Sequence, residues 1–429
     1  MQEQSRALKT VLGNRDLALL LSAQFLAQAA DGLGQAALAA DVLIFEPLSQ
    51  GTPAQIFQLF ALTLIPYSLI APFLGVLVDR WSRRATLVWS NALRAGVLLS
   101  LPIWSRGLAG NTPLYAGVLI LLGLGRLFLV TKGAALPVVA HERHLLTANA
   151  VSGGGGMISA LLGGVVGLVA AGIIGGEGAF VIAGAVYGFS AVLARRISDP
   201  LAHRTHVTMR VAIARVARDV YRGGKEIWAR AAARLPLMGV FIVRTAGMLT
   251  AIIALLVIKR EFPEAGDRFG GLASGALALG SAGAGAFLGA VIAPILGRRW
   301  RNPGLIMLGF AVSGVGIITL GGVIAIPAVL GLTFSGGVGT FLAKVATDAQ
   351  LQEALPDDFR GRGFAVYDIL YNLASVAAAG LIWFFDDVSF RLLVVSVGLL
   401  TLVLAALLGA AMRRAGMELR APRSVEVSA

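Results

Sequence analysis

The sequence predicts an all-α membrane protein of twelve transmembrane helices in two pseudo-symmetric six-helix halves, and three observations carry that prediction. Of the 429 residues, 57% are hydrophobic and only 14% charged, with a mean hydropathy of +0.81; an aqueous domain carries about 25% charged residues. Apolar runs of about twenty residues, the length an α-helix needs to cross the hydrocarbon core, recur along the whole chain. One long polar stretch, 195–234, separates the first six runs from the last six, as a duplicated six-helix unit requires.

Lipid offers no hydrogen-bond partner to an open backbone, so each run is read as a helix. The spans fall at about 17–44, 56–78, 85–105, 114–139, 148–174, 178–195, 236–258, 270–296, 303–324, 325–349, 364–385 and 390–412, with the least marked break near Ala325. The domains that follow are 1–195, the N-terminal half; 196–235, a cytoplasmic amphipathic linker; 236–412, the C-terminal half; and 413–429, a cytoplasmic tail. The first run follows a polar stretch holding Arg6, Lys9, Arg15 and Asp16, and no small-residue cleavage pattern closes it. It reads as a retained first span, not a signal peptide.

The net charge of +13 would suggest nucleic acid in a soluble protein. Here the basic residues sit in alternate loops. With the N-terminus inside, 26 of the 36 Lys and Arg fall in cytoplasmic segments, five in outer loops and five within spans. The positive-inside rule places both termini in the cytoplasm and the chain in the inner (plasma) membrane, with no nucleic-acid partner. There is no cysteine, hence no disulfide framework or thiolate metal site. Within the linker, VTMRVAIARVARDVYRGGKEIW alternates apolar and basic positions at helical spacing. That pattern suits a helix lying on the inner leaflet and drawn to anionic headgroups; a regulatory or partner-binding role is the other reading.

An internal repeat supports duplication. After the second span the chain reads Gly75-Val-Leu-Val-Asp79-Arg80-Trp-Ser82-Arg83-Arg84, and after the eighth a degenerate copy runs from Gly289 to Arg299 with Ala293 in place of the acid. The first copy resembles the signature that major facilitator transporters carry between helices two and three, departing only at Ser82. The resemblance implies that fold, transport by alternating access and a monomer. It also implies that Asp79 meets the dipole at the N-terminus of helix eleven to lock an inner gate, with Gly75 closing the pattern and Arg80, Arg83 and Arg84 bridging neighbouring helices. A plain positive-inside stop is the bland alternative. Gln24-x-x-x-Gln28-x-x-Asp31-Gly32, Leu146-Thr-Ala-Asn149-Ala150, and Gln350 to Pro356 with Arg360-Gly361-Arg362 resemble the branch that includes macrolide-efflux and enterobactin-export proteins. In the fifth span, Gly153 to Gly156 with Gly163-Gly164-x-x-Gly167 is similar to an exporter element lacking its proline; small residues so spaced mostly allow close helix packing.

Charged groups at mid-membrane are costly and usually face a cavity or a partner. Asp31 and Arg126 both lie about 20 Å from the inner ends of their helices at 1.5 Å per residue. On the family's pattern helices one and four line a central cavity, so Asp31 is expected to exchange a coupling proton or meet a cationic substrate group, with Arg126 as its partner and Gln24 and Gln28 beside it. A static ion pair is the rival reading. Lys344 and Asp348, four apart on one face, and Asp368 suit an inner gate with Arg360 and Arg362. Lys132 is expected to snorkel toward the inner interface, and Arg94, near the start of helix three, to do the same or join the Asp79 network. Arg244 needs an acid or an anion that the sequence does not name.

His141 and His144, and His203 and His206, fall in predicted loops without carboxylate clusters, so no metal is expected. No P-loop is present, no catalytic pairing occupies the spans, and no cofactor is implied. The leading expectation is a secondary transporter, not an enzyme, driving proton-coupled export of a small amphipathic compound: a drug, macrolide or siderophore-like molecule. Its partners would be that small-molecule substrate, protons and membrane lipids. A lipid or lysolipid flippase or an importer is the alternative, and a non-transporting scaffold or sensor is the alternative of another class.

Overall fold

The computed structural model describes residues 14–40, 53–74, 81–107, 112–140, 145–198, 208–262, 274–385 and 389–419, and these are helical almost throughout. The helices are α1 (Arg15–Ala40), α2 (Pro53–Ile70, extended by a 3-10 turn at Ala71–Phe73), α3 (Arg83–Gly107) and α4 (Thr112–Val139). The run Leu145–Arg195 contains a break at Gly175, with φ 78° and ψ 165°, a conformation open only to glycine. It therefore forms two helices, α5 (145–174) and α6 (176–195). There follow α7 (Met209–Ala229), α8 (Ala231–Glu261), α9 (Ser274–Leu296), α10 (Asn302–Gly321), α11 (Ile326–Ala354), α12 (Asp357–Phe384) and α13 (Phe390–Arg414).

Among the described residues nine helical runs are long and apolar enough to cross a membrane; one of them is the α5–α6 run, and α2 and α9 supply two shorter apolar helices, Phe60–Phe73 and Gly280–Leu296. With the break at Gly175 this accounts for twelve spans. The separation near Ala325 is real: α10 ends at Gly321 and α11 begins at Ile326. Large side chains such as Ile173, Phe189 and Leu407 are 76%, 60% and 63% exposed, more apolar surface than water tolerates. Lipid is their solvent.

Contacts divide the chain into two units. The first takes 1–51, 61–216 and 266–276; the second takes 52–60, 217–265 and 277–429. In the first unit, α1 is capped by Asn14, whose Oδ1 accepts the N–H of Asp16 and Leu17 at 3.1 and 3.2 Å while Nδ2 donates to the Val139 carbonyl at the end of α4. The neighbours of α1 rise along α5, from Gln28 beside Gly156 to Leu33 beside Gly167. They fall along α6, from Ala23 beside Ser190 to Asp16 beside Ser198. Thus α5 runs parallel to α1 and α6 antiparallel. The α1–α5 contact is too close for a side chain at Gly163, where a Cβ would meet the Ala29 carbonyl. Around it Leu20, Leu87, Phe128, Leu136 and Phe180 form the core.

In the second unit, α8, α10, α11 and α13 pack through Val243, Ile306, Phe310, Ala343 and Met412. Helix α9 lies on α11 through Ala293, Val338 and Leu342, and Ser281 Oγ donates to the Leu330 carbonyl at 2.7 Å. The amphipathic helix α7 packs against protein on one face. In this unit its 217–229 portion docks on the start of α12: Ile227 is buried with Leu351, Leu355 and Tyr367, and Asp219 pairs with Arg362 at 3.2 Å.

Candidate functional site

Three helices of the first unit converge on Asp31. Arg94 of α3 is wholly buried, and its Nη2 donates to Asp31 Oδ1. Tyr187 of α6 donates to the same oxygen at 2.6 Å and accepts from Arg94 Nη2 at 2.7 Å. The Arg94 guanidinium also lies 4.1 Å from the Tyr187 ring centroid. Asn91, one helical turn before Arg94, accepts from its Nη1 at 3.0 Å and donates to Ser190 Oγ at 2.7 Å; Ser190 in turn donates to the Ala23 carbonyl. These bonds offset part of the desolvation of a buried charge pair, while Arg94 Nε is buried without a hydrogen-bond partner.

The Asp31 side chain keeps 28% exposure, because it also forms part of a cavity wall. That cavity measures about 320 Å³ and is lined by Gln28, Asp31, Gln35, Tyr67, Arg126 and Tyr187 together with Leu98, Leu121, Leu129 and Phe180. Polar groups thus occupy one part of an otherwise apolar wall, the usual composition of a small-molecule pocket.

The sequence led to Arg126 as the partner of Asp31. Arg126 does line the same cavity, and Asp31 Oδ1 accepts hydrogen bonds from Arg94 and Tyr187. Arg94 does not snorkel: it lies about 16 Å along α3 from Arg83, too deep for its guanidinium to reach an interface. Gln24 is placed differently from the expectation. It is buried beneath the cavity, donating to Gln28 Oε1 at 2.6 Å and the Ser152 carbonyl at 2.8 Å. Ser152 Oγ donates to Gln24 Oε1 at 2.7 Å and accepts from Lys132 Nζ at 2.8 Å, so Lys132 is tied inward. Only Gln28 of the two glutamines reaches the cavity.

Of the signature after the second span, Gly75, Asp79 and Arg80 lie outside the described residues. Arg83 opens α3, and Arg84 Nη1 donates to the carbonyls of Ile197 and Ser198 at 3.0 and 3.3 Å, linking the start of α3 to the end of α6. The four histidines also lie outside the described residues.

The second unit gathers its own polar cluster. Lys344 pairs with Asp348 at 2.8 Å and lies 5.6 Å from the ring centroids of both Tyr367 and Tyr371. Arg244, for which the sequence offered no partner, stacks over Tyr371 at 4.6 Å, a cation–π contact. Asp368 accepts from Asn372 Nδ2 through its backbone carbonyl. Arg360 Nε donates to the Gln352 carbonyl at 2.9 Å, and Arg362 holds Asp219. Lys344, Asp348 and Arg244 therefore share one neighbourhood through α12, while Arg362 serves the α7 contact.

Twelve spans in two units, with a mainly apolar cavity that holds a cluster of charged and polar groups, define a multi-pass membrane protein that handles a small molecule. The family model described as Major Facilitator Superfamily matches residues 20–379. Two proteins named as uncharacterized MFS-type transporters, from Mycobacterium bovis and Mycobacterium tuberculosis, are each 32% identical over 383 residues, covering 85% of this chain and 84% of theirs. The chain belongs to the Major Facilitator Superfamily and is a membrane transporter. Among solved structures, the nucleoside transporter NupG superposes with a TM-score of 0.67 at 9% identity over 94% of this chain and 100% of its own. A POT family transporter in complex with 5-aminolevulinic acid gives 0.68 at 12% identity over 94% and 97%. At these identities the likeness is one of fold.

Proposed function

We propose that the chain exports a small amphipathic compound in exchange for protons, by alternating access, as a monomer in the inner membrane with both termini in the cytoplasm. One observation carries the reading: the Asp31 carboxylate belongs at once to the buried Arg94–Tyr187 network and to the wall of a mainly apolar cavity. A proton and a donor group on the substrate both draw on that carboxylate. Binding of one opposes binding of the other, and such competition is what exchange in opposite directions requires. The apolar wall at Leu98, Leu121 and Phe180 suits a greasy body, and Gln28, Gln35 and Arg126 suit a polar head. The signature arginines, with Lys344, Asp348 and Asp368, act in gating.

The test uses everted membrane vesicles with an acid lumen and the membrane potential clamped to zero with potassium and valinomycin. Uptake of tetraphenylphosphonium that follows the imposed pH gradient and requires the protein supports export. Movement of a fluorescent lysolipid between leaflets without such uptake supports a flippase instead, and the absence of both activities would count against export of an amphipathic cation.

A further inference from the structure

The amphipathic helix α7 has two faces with different partners. In the second unit, Gly223 and Ile227 are buried and Asp219 and Val220 half-buried, a stripe at helical spacing that meets α12. A Cβ at Gly223 would strike the Arg362 carbonyl, and Ile227 Cδ1 lies 3.7 Å from where a Cβ at Gly363 would stand. The opposite stripe, Arg218, Tyr221, Arg222, Lys225 and Trp228, is exposed, with Tyr221 at 74% and Trp228 at 67%. Tyr221 and Trp228 are seven residues apart, hence on one line of the helix, and the three cations flank that line.

The level of this face is fixed by its neighbours. Ile227 packs with Leu351 and Leu355 at the end of α11, and only Arg230 separates α7 from the spanning helix α8. The face therefore lies at the height where spans enter the membrane. Aromatic rings interleaved with cations at that height match the boundary between headgroups and acyl chains, where Trp and Tyr anchor and each Lys or Arg gains from anionic lipid.

We propose that the exposed face of α7 is a binding site for anionic phospholipid headgroups of the adjoining leaflet. Arg218, Arg222 and Lys225 hold the phosphates, and Tyr221 and Trp228 seat in the interface. Because the other face of the same helix holds Arg362 through Asp219, lipid bound at α7 steadies the first turns of α12. The site is separate from the transport cavity and stands or falls independently of the export reading.

Hydrogen exchange of the full-length protein in nanodiscs tests this, comparing phosphatidylcholine alone with a mixture containing about one third phosphatidylglycerol. The anionic mixture is expected to slow exchange in 217–229 and 357–366 by about tenfold, an effect that fades at high salt. The triple substitution Arg218→Gln, Arg222→Gln, Lys225→Gln is expected to abolish the difference. These residues are exposed, so folding is unaffected; the double substitution Tyr221→Ser, Trp228→Ser gives a charge-neutral check and is expected to reduce it. Equal exchange in both lipids, or a difference that survives the triple substitution, would overturn the proposal. Slower exchange in 217–229 with none in 357–366 would overturn the link to α12.

Discussion

Arg94 and Asp31, on helices α3 and α1, form an ion pair in which the arginine has no exposure at all and the aspartate still reaches a cavity. The asymmetry assigns the roles: Arg94 is the fixed member and Asp31 the accessible one. Removing Arg94 deprives Asp31 of its buried cationic partner. Arg94→Gln is therefore expected to cost about 3–5 kcal/mol of unfolding free energy, and the double variant Arg94→Gln, Asp31→Asn less than the two single costs together. Unfolding titrations of the four proteins check this; additive costs would show that the pair is not coupled.

Tyr187→Phe keeps the ring beneath Arg94 and deletes only the hydroxyl that bridges Arg94 and Asp31. The expected loss is about 1 kcal/mol, with the fold intact. Tyr187→Leu, which also removes the cation–π contact, should cost more. The same titrations rank the two variants.

The approach of α1 to α5 depends on Gly163 having no side chain. Gly163→Leu must push α5 off the Ala29 carbonyl and is expected to destabilise by about 1–3 kcal/mol or more. Gly133→Ala is the control, since a Cβ there meets nothing within 4 Å. In a helix interior it should be neutral or stabilise by about 0.5–1 kcal/mol. A melting comparison in nanodiscs reads both.

Docking of α7 rests on apolar burial more than on charge. Ile227 is 2% exposed, and Ile227→Ala is expected to cost about 2–5 kcal/mol. Asp219 and Arg362 keep 28% and 31% exposure, and Arg362→Gln should cost less than about 1 kcal/mol. Limited proteolysis within 209–229 gives the order: rapid cleavage in Ile227→Ala, little change in Arg362→Gln.

The spans were legible because lipid leaves one signal, twenty apolar residues, and the break at Gly175 was legible as a link between two such runs. Asp31 and Arg126 were legible as costly charges at matching depth, and both line the cavity. The bonds that Arg94 and Tyr187 make to Asp31 were not. Which buried groups meet depends on which helices are neighbours, and α1 meets α3 and α6 through contacts 63 and 156 residues apart that no local pattern encodes. Tyr187 gave no signal, since a tyrosine in a span carries no insertion penalty to notice. Arg94 gave one that depth alone could have read, with Asn91 a turn before it. Gln24 was misplaced for the same reason: its spacing from Gln28 puts both on one face, and only the packing of Ser152 decides that Gln24 lies beneath the cavity wall.

In the proposed mechanism Asp31 couples the proton to the substrate. The most direct measurement compares two activities of Asp31→Asn in proteoliposomes: accumulation of tetraphenylphosphonium driven by a pH gradient, and its gradient-free exchange. Asn keeps an oxygen for Arg94 and Tyr187 but cannot ionise. Exchange is expected to survive while gradient-driven accumulation is lost. Accumulation at the wild-type rate in Asp31→Asn would contradict it and leave the Asp31–Arg94 pair a structural element.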